Sequence, residues 1–185
     1  MISIKLKNAP NFLSLSRIGL IPILVLCYYL PYGYISATII FILAAITDYL
    51  DGFLARSFNL NSSFGAFIDP VADKLLVTIT LIILIPRLKY IVLATIIIVG
   101  REIIVSALRE WMANLGKRAS LAVTYISKIK TATQMFALIG LLFCSNNNNV
   151  YYWLIILSYV LLYVAAILTI WSMYCYLKIA NNKIN

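Results

Sequence analysis

Residues 48–73, DYLDGFLARSFNLNSSFGAFIDPVAD, contain all four aspartates of the chain. Asp48 and Asp51 are three residues apart, and Asp69 and Asp73 are four apart. On an α-helix, each spacing places both carboxylates on one face. Long apolar runs flank this stretch on both sides. It therefore predicts two apolar helices joined by a short polar loop, with the acidic pairs at the joined ends.

The composition of the whole chain is that of a bilayer protein. Of its 185 residues, 63% are apolar and 11% charged, and the mean hydropathy is +0.97; soluble domains are about 45–50% apolar and about 25% charged. A membrane-spanning helix needs about 20 apolar residues. Six stretches qualify: residues 12–30, 34–56, 66–86, 90–112, 122–144 and 150–177. We predict one all-α integral membrane domain over residues 1–185, with six transmembrane helices after a short interfacial segment at residues 1–9.

The basic residues predict the orientation of these helices. The chain has 15 Lys and Arg against 6 Asp and Glu, a net charge of +9. Cytoplasmic ends of membrane helices are enriched in Lys and Arg. With the N-terminus inside, the outer side receives only Arg87 and Lys89, while ten basic residues face the cytoplasm: Lys5, Lys7, Arg56, Arg109, Lys117, Arg118, Lys128, Lys130, Lys178 and Lys183. Both termini and the aspartates are therefore expected on the cytoplasmic side.

Several classes of site are excluded by composition. The chain has no histidine, which removes histidine bases, Ser–His–Asp triads and histidine metal ligands. Its three cysteines, Cys27, Cys144 and Cys175, lie far apart in or near apolar runs. They are typical of small core residues, neither a disulfide framework nor a zinc site.

The four aspartates predict a metal site. Carboxylates near apolar surface are costly and repel one another, and the only basic side chains close in sequence are Arg56 and Lys74. Oxygen ligands suit Mg²⁺ or Mn²⁺, and four carboxylates suit two ions. Helix capping or solvated charge would explain one or two of them, but not all four. Small residues beside them leave room for a large ligand, although close helix packing explains these equally well: Gly52, Ala55 and Gly65.

The spacing of these residues resembles the signature of the CDP-alcohol phosphotransferase family, D-x-x-D-G-x-x-A-R-x8-G-x3-D-x3-D. All its fixed positions are matched, by Asp48, Asp51, Gly52, Ala55, Arg56, Gly65, Asp69 and Asp73. Four further stretches are similar to the phosphatidylglycerophosphate synthase branch of that family: residues 11–22, 69–77, 101–118 and 128–134. One departure is Ser127, where that branch often has glycine, which bears on local helix packing and not on the chemistry.

The resemblance implies roles for the signature residues. Asp48, Asp51, Asp69 and Asp73 would hold two divalent ions that grip the diphosphate of a CDP-linked donor. Asp73 would also be the general base on the acceptor hydroxyl. The remaining residues would bind the donor: Gly52, Ala55 and Gly65 beside the cytidine, and Arg56 at a phosphate. Metal ions would neutralise the charge that grows on the leaving CMP.

The same resemblance implies glycerol-3-phosphate as the acceptor, and hence a basic pocket. Arg101 and Arg109 lie eight residues apart on one helix, on broadly the same side. Arg101 is the stronger candidate because it falls within an apolar helix. The other candidates are Arg118, Lys128 and Lys130, for which the usual cytoplasmic excess of basic residues is an equal explanation. The roles of Arg17 and Lys74 are left open.

The expected reaction is therefore CDP-diacylglycerol plus glycerol-3-phosphate giving phosphatidylglycerophosphate and CMP. It would occur at the cytoplasmic face of the bacterial inner membrane, in a multi-pass protein that the family suggests is a homodimer. Other acceptors remain open, namely serine, inositol phosphate or phosphatidylglycerol. A membrane prenyltransferase also grips diphosphates through aspartates and metal, but without the Gly/Ala/Arg pattern. An ion transporter would not need that pattern, and helix pairs broken by Pro or Gly are not evident.

Overall fold

A computed structural model describes residues 9–58, 63–114, 125–145 and 152–184 of the chain. The side chains of residues 9–14, 49, 51–58, 63–67, 113, 125–128 and 179–184 fall outside that description. The described residues form helices and no strand: α1 Ala9–Tyr29, α2 Gly33–Phe58, α3 Ser63–Leu84, a 3₁₀ turn Lys89–Ile91, α4 Val92–Asn114, α5 Tyr125–Cys144 and α6 Tyr152–Ile184. The predicted all-α class is confirmed for these ranges.

Each of the six predicted apolar stretches coincides with one helix, and most boundaries differ by a few residues; the last helix continues to Ile184, beyond the predicted end at residue 177. The first turn shows why the chain reverses there: Tyr32 has a left-handed backbone, with φ of 58°. A Cβ on the following Gly33 would lie 1.7 Å from the carbonyl oxygen of Cys27, so only glycine fits this tight connection. Residues 1–8, and hence most of the predicted interfacial segment, lie outside the described residues.

The helices close into a ring. α1 packs against α2 and α3, α2 against α5, α5 against α6, α6 against α4, and α4 against α3; α3 also contacts α5 across the ring. Apolar side chains from every helix fill the interior, among them Leu24, Phe41, Leu81, Ile98, Leu141 and Leu162. At Gly140 a Cβ would lie 2.0 Å from Oγ of Ser158, so glycine lets α5 approach α6 closely.

The outer surface of the ring is apolar. Leu26, Ile96, Phe136 and Ile167 are each between 64% and 70% exposed, while Arg17 is completely buried. Two helical stretches, Lys89–Met112 and Tyr152–Lys178, are long and apolar enough to cross a membrane. A soluble monomer rarely exposes so much continuous apolar surface. This surface suits lipid, and the polar groups inside are positioned for function.

Candidate active site

A buried arginine connects the helices that carry the aspartates. Arg17 of α1 is fully buried, and its Nη1 lies 2.8 Å from Oδ1 of Asp48 on α2. Its charge also acts on Asp73 of α3. Because α1 packs against both α2 and α3, one guanidinium interacts with both acidic pairs. Sequence reasoning missed this role, although Arg17 is the single charged residue of α1.

The described carboxylates are electrostatic neighbours. Asp48 is close enough to both Asp69 and Asp73 for their charges to repel. Among the side chains that the structure describes, no three acidic or cysteine groups are arranged to hold a metal ion. Asp51, the fourth predicted ligand, has a helical backbone but lies outside those side chains. The chemistry of this donor set, carboxylate oxygens with surplus negative charge, fits a hard divalent cation.

For some predicted site residues, the structure describes the backbone but not the side chain. Gly52, Ala55 and Arg56 lie on α2, Gly65 on α3 and Lys128 on α5, all outside the described side chains. Arg118 lies outside the described residues altogether. Their roles remain predictions.

A cavity of about 240 Å³ opens between α3, α4, α5 and α6. Its lining holds four cationic and two acidic side chains, a net positive charge of two. It contains the predicted base Asp73 together with three of the predicted acceptor-binding cations. The lining residues are Pro70, Asp73, Lys74, Val77, Arg101, Glu102, Val105, Ser106, Arg109, Lys130, Thr131, Gln134, Met135 and Tyr176.

Glu102 organises one side of this cavity. Its Oε1 accepts hydrogen bonds from Nη1 of Arg101, at 2.9 Å, and from Nζ of Lys130, at 2.8 Å. Both cations are nearly buried, with 7% and 3% of their surface exposed. A buried cation without an anionic partner is costly. Glu102 therefore offsets part of the charge of these two cations and ties α4 to α5.

Arg109 and Lys74 are held by neutral groups instead. Nη2 of Arg109 donates to the Tyr176 hydroxyl at 3.1 Å, and Nζ of Lys74 donates to Oγ of Ser106. Within the described part of the chain, neither cation forms an ion pair with a carboxylate. Their charge is therefore the less compensated part of the cavity, and it can attract an anion.

A second, apolar groove of about 300 Å³ lies between α2 and α5. Its lining residues are Ile42, Ala45, Ile46, Leu50, Met135, Phe136 and Ile139. Met135 also lines the cationic cavity, so a polar space and an apolar one adjoin at this residue. This neighbourhood suits a molecule with a charged head and a hydrocarbon tail.

Sequence reasoning missed several lining residues of the cavity. Lys74 follows the last signature aspartate directly, a position that could have marked it. Glu102 directly follows Arg101, a predicted acceptor-binding residue, and its two cationic partners explain its presence in an apolar helix. Gln134 closes one of the stretches that carry the resemblance. Nothing in the local sequence singles out Tyr176, because the last apolar stretch is rich in aromatic residues throughout.

A family model described as CDP-alcohol phosphatidyltransferase matches residues 7–171. The chain belongs to this family. The family match covers all the aspartates and every lining residue of the cavity except Tyr176. The resemblance noted in residues 48–73 is thereby confirmed at the level of the family.

Curated relatives of the same family are similar over nearly their whole length. A Yersinia enterocolitica protein named CDP-diacylglycerol–glycerol-3-phosphate 3-phosphatidyltransferase is 48% identical over 177 residues, which is 94% of each chain. Proteins of the same name from Salmonella choleraesuis and Sodalis glossinidius are 46% and 44% identical over 181 residues, covering 96% of this chain and 97% of theirs. The chain thus matches these family members over nearly its whole length.

Proposed function

We propose that this chain transfers the phosphatidyl group of CDP-diacylglycerol to glycerol-3-phosphate, producing phosphatidylglycerophosphate and CMP. Relatives that are 44–48% identical over at least 94% of the chain are named as enzymes of this reaction. The observation that carries the proposal is the cavity, in which Asp73 faces the same space as Arg101, Arg109 and Lys130. A phosphorylated alcohol needs such a site, with cations for its phosphate and a base for its hydroxyl.

The donor binds at the acidic ends of α2 and α3. In this proposal Asp48, Asp51, Asp69 and Asp73 hold two Mg²⁺ or Mn²⁺ ions, whose charge balances the donor diphosphate and the departing CMP. The mutual repulsion of Asp48, Asp69 and Asp73 supports this reading, because one arginine offsets only part of it. The small or cationic residues that contact the donor are Gly52, Ala55, Arg56 and Gly65.

Asp73 acts as the base on the acceptor. Its carboxylate takes the proton from the attacking hydroxyl while that oxygen forms a bond to the phosphorus that carries the diacylglycerol. The bond from this phosphorus to the CMP oxygen breaks, and CMP leaves with the electron pair. Asp73 is suited to the role because it lines the acceptor cavity and also interacts with Asp48 on the donor side.

The acceptor phosphate binds among the cations of the cavity. Arg109 is the principal contact because its guanidinium is bound to a neutral hydroxyl and retains its full charge for the ligand. Arg101 and Lys130 contribute through their field, since Glu102 already accepts their hydrogen bonds. Arg118, from the segment between α4 and α5, and Lys128, near the start of α5, are the remaining proposed contacts of the acceptor phosphate.

The protein acts within the membrane. We infer that all six helices cross the bacterial inner membrane, with both termini and the site on the cytoplasmic side and with two chains forming a dimer. The apolar outer surface supports the membrane location. An acyl chain of the donor occupies the groove between α2 and α5, because that groove is apolar and borders the reaction cavity through Met135.

Purified protein in detergent, supplied with CDP-diacylglycerol and Mg²⁺, tests this function. CMP release is measured with glycerol-3-phosphate, serine, inositol phosphate and phosphatidylglycerol as separate acceptors. We expect CMP and phosphatidylglycerophosphate with glycerol-3-phosphate alone. Turnover with another acceptor in its place would assign the chain to a different reaction of the family. Full activity after thorough chelation would contradict the metal site.

A further inference from the structure

The end of α6 contacts both arginines of the cavity. Nη2 of Arg101 donates to Oγ of Ser172 at 3.0 Å, and Nη2 of Arg109 donates to the Tyr176 hydroxyl at 3.1 Å. Ser172 and Tyr176 are four residues apart, so they share one face of α6. Oγ of Ser172 itself donates to the carbonyl oxygen of Thr169 at 3.0 Å, which directs its lone pairs toward Arg101.

The Tyr176 ring adds a second constraint. The Arg101 guanidinium lies 5.5 Å from the ring centroid, and the Arg109 guanidinium lies 5.3 Å from it. Tyr176 is only 6% exposed, so its ring is fixed by its surroundings. Cations within about 6 Å of an aromatic face are attracted to it. One ring therefore attracts both guanidinium groups.

This arrangement favours anion binding because it restricts the arginine side chains before the anion binds. A free arginine side chain loses much rotational freedom when it binds a phosphate, and this loss weakens binding. Hydroxyl groups that already hold the guanidinium remove part of that loss without neutralising its charge. Glu102 cannot do this for Arg109, since the Glu102 carboxylate is bound to Arg101 and Lys130.

We propose that Ser172 and Tyr176 are positioning residues that hold Arg101 and Arg109 in place for the phosphate of the acceptor. The proposal rests on the proposed function, because it assumes a phosphorylated acceptor in this cavity. It gives the last helix a role in acceptor binding that is separate from the signature on α2 and α3.

The test begins with Tyr176→Phe, which removes the hydroxyl and keeps the ring. Hydrogen bonds to charged groups are strong enough that we expect the KM for glycerol-3-phosphate to rise about ten-fold. The kcat and the KM for CDP-diacylglycerol should be unchanged. The matched control is Tyr174→Phe on the same helix, where the ring is 60% exposed; it should behave as wild type. Ser172→Ala should give a smaller rise in the same KM.

A double-mutant cycle tests whether Tyr176 acts through Arg109. In the Arg109→Ala background, Tyr176→Phe should cause no further rise in the KM for glycerol-3-phosphate. Additive effects of the two changes would overturn the proposal. So would a Tyr176→Phe enzyme with an unchanged KM, or one in which kcat and both KM values change together, since that pattern indicates general structural damage.

Failure of this proposal is distinguishable from failure of the proposed function. If the wild-type protein releases no CMP with glycerol-3-phosphate, the proposed function fails and the proposal fails with it. If the wild type is active and only the Tyr176 variants depart from expectation, the positioning role alone is wrong. Competition by inorganic phosphate gives a second readout, and its inhibition constant should rise in Tyr176→Phe as the KM does.

Discussion

Two neighbouring regions of this protein carry opposite surplus charge. In the acidic region, Asp48 interacts with Asp69 and Asp73, and the buried Arg17 forms an ion pair with Asp48. In the cavity, four cations face two carboxylates, and Glu102 accepts hydrogen bonds from two of those cations. Asp73 belongs to both regions. The surplus charge of each region is opposite in sign to the ligand it is proposed to bind. The acidic region would bind metal ions, and the cavity would bind a phosphate.

The two regions also differ in how their charges are held. The acidic region connects α1, α2 and α3 through a single arginine. The cavity connects α4, α5 and α6 through several hydrogen bonds to carboxylate, serine and tyrosine. Changes in the first region should therefore affect donor chemistry and stability, and changes in the second should affect acceptor affinity. The predictions below test that division.

The largest effect is expected at Asp73, where the regions meet. Asp73→Asn should reduce turnover by about 10²–10⁴-fold, because general-base catalysis contributes that much. The measurement is CMP release at saturating concentrations of both substrates. Asn has nearly the same size and cannot take the proton, so the protein should still insert and purify normally. Retained turnover would remove Asp73 from the base role.

Arg109→Ala should specifically weaken the cavity. We expect the KM for glycerol-3-phosphate to rise by about 10–100-fold, as the loss of a charge-assisted contact implies. The KM for CDP-diacylglycerol should not change. Lys89→Ala, which removes an exposed cation from the 3₁₀ turn, is the control and should have no effect. An equal loss of affinity for both substrates would show that the two regions are not separable.

Arg17→Met should instead affect the acidic region. It removes the cation paired with Asp48 and leaves that carboxylate without its ion pair, which should destabilise the protein by about 2 kcal/mol, less than at a fully buried pair because Asp48 is 43% exposed. The unfolding temperature should fall, and Mg²⁺ should restore it more than in wild type. An unchanged response of the unfolding temperature to Mg²⁺ would argue against ion binding beside Arg17.

The smallest effect is expected in the framework that supports the cavity. Gly140→Ala should destabilise the protein by about 1–3 kcal/mol, because the new methyl group overlaps Ser158 between α5 and α6. Gly100→Ala is the control, since nothing lies within 4 Å of its added Cβ. Neither change should alter a KM. Thermal unfolding in detergent measures the first effect, and steady-state kinetics checks the second.

The helices and the family could be predicted from the sequence for physical reasons. Apolar stretches of about 20 residues have few alternatives to the helix in a bilayer. The signature consists of fixed residue types at fixed spacings, so it can be recognised in a sequence without knowledge of the tertiary structure. Arg101 was identifiable because a charge within an apolar helix is costly and needs a reason.

The partners of the charged groups were not predictable in the same way. The contact from Arg17 to Asp48, and the one from Arg109 to Tyr176, join residues 31 and 67 positions apart. They depend on which helices are neighbours in the ring and on how each is rotated. A single sequence does not contain that information. The metal ligands and acceptor contacts remain predictions, since the side chains of Asp51, Arg56 and Lys128 are not described.

The Arg17–Asp48 pair has a consequence for how the protein is assembled. In the proposed topology α1 crosses the membrane, where an arginine on a solitary helix costs up to about 2.5–3.5 kcal/mol on insertion scales. In the folded protein its compensating carboxylate comes from the next helix. We therefore expect α1 to be retained poorly by itself and to insert efficiently once α2 has been synthesised. The first two helices would then enter the membrane as a hairpin, before the rest of the ring closes around them.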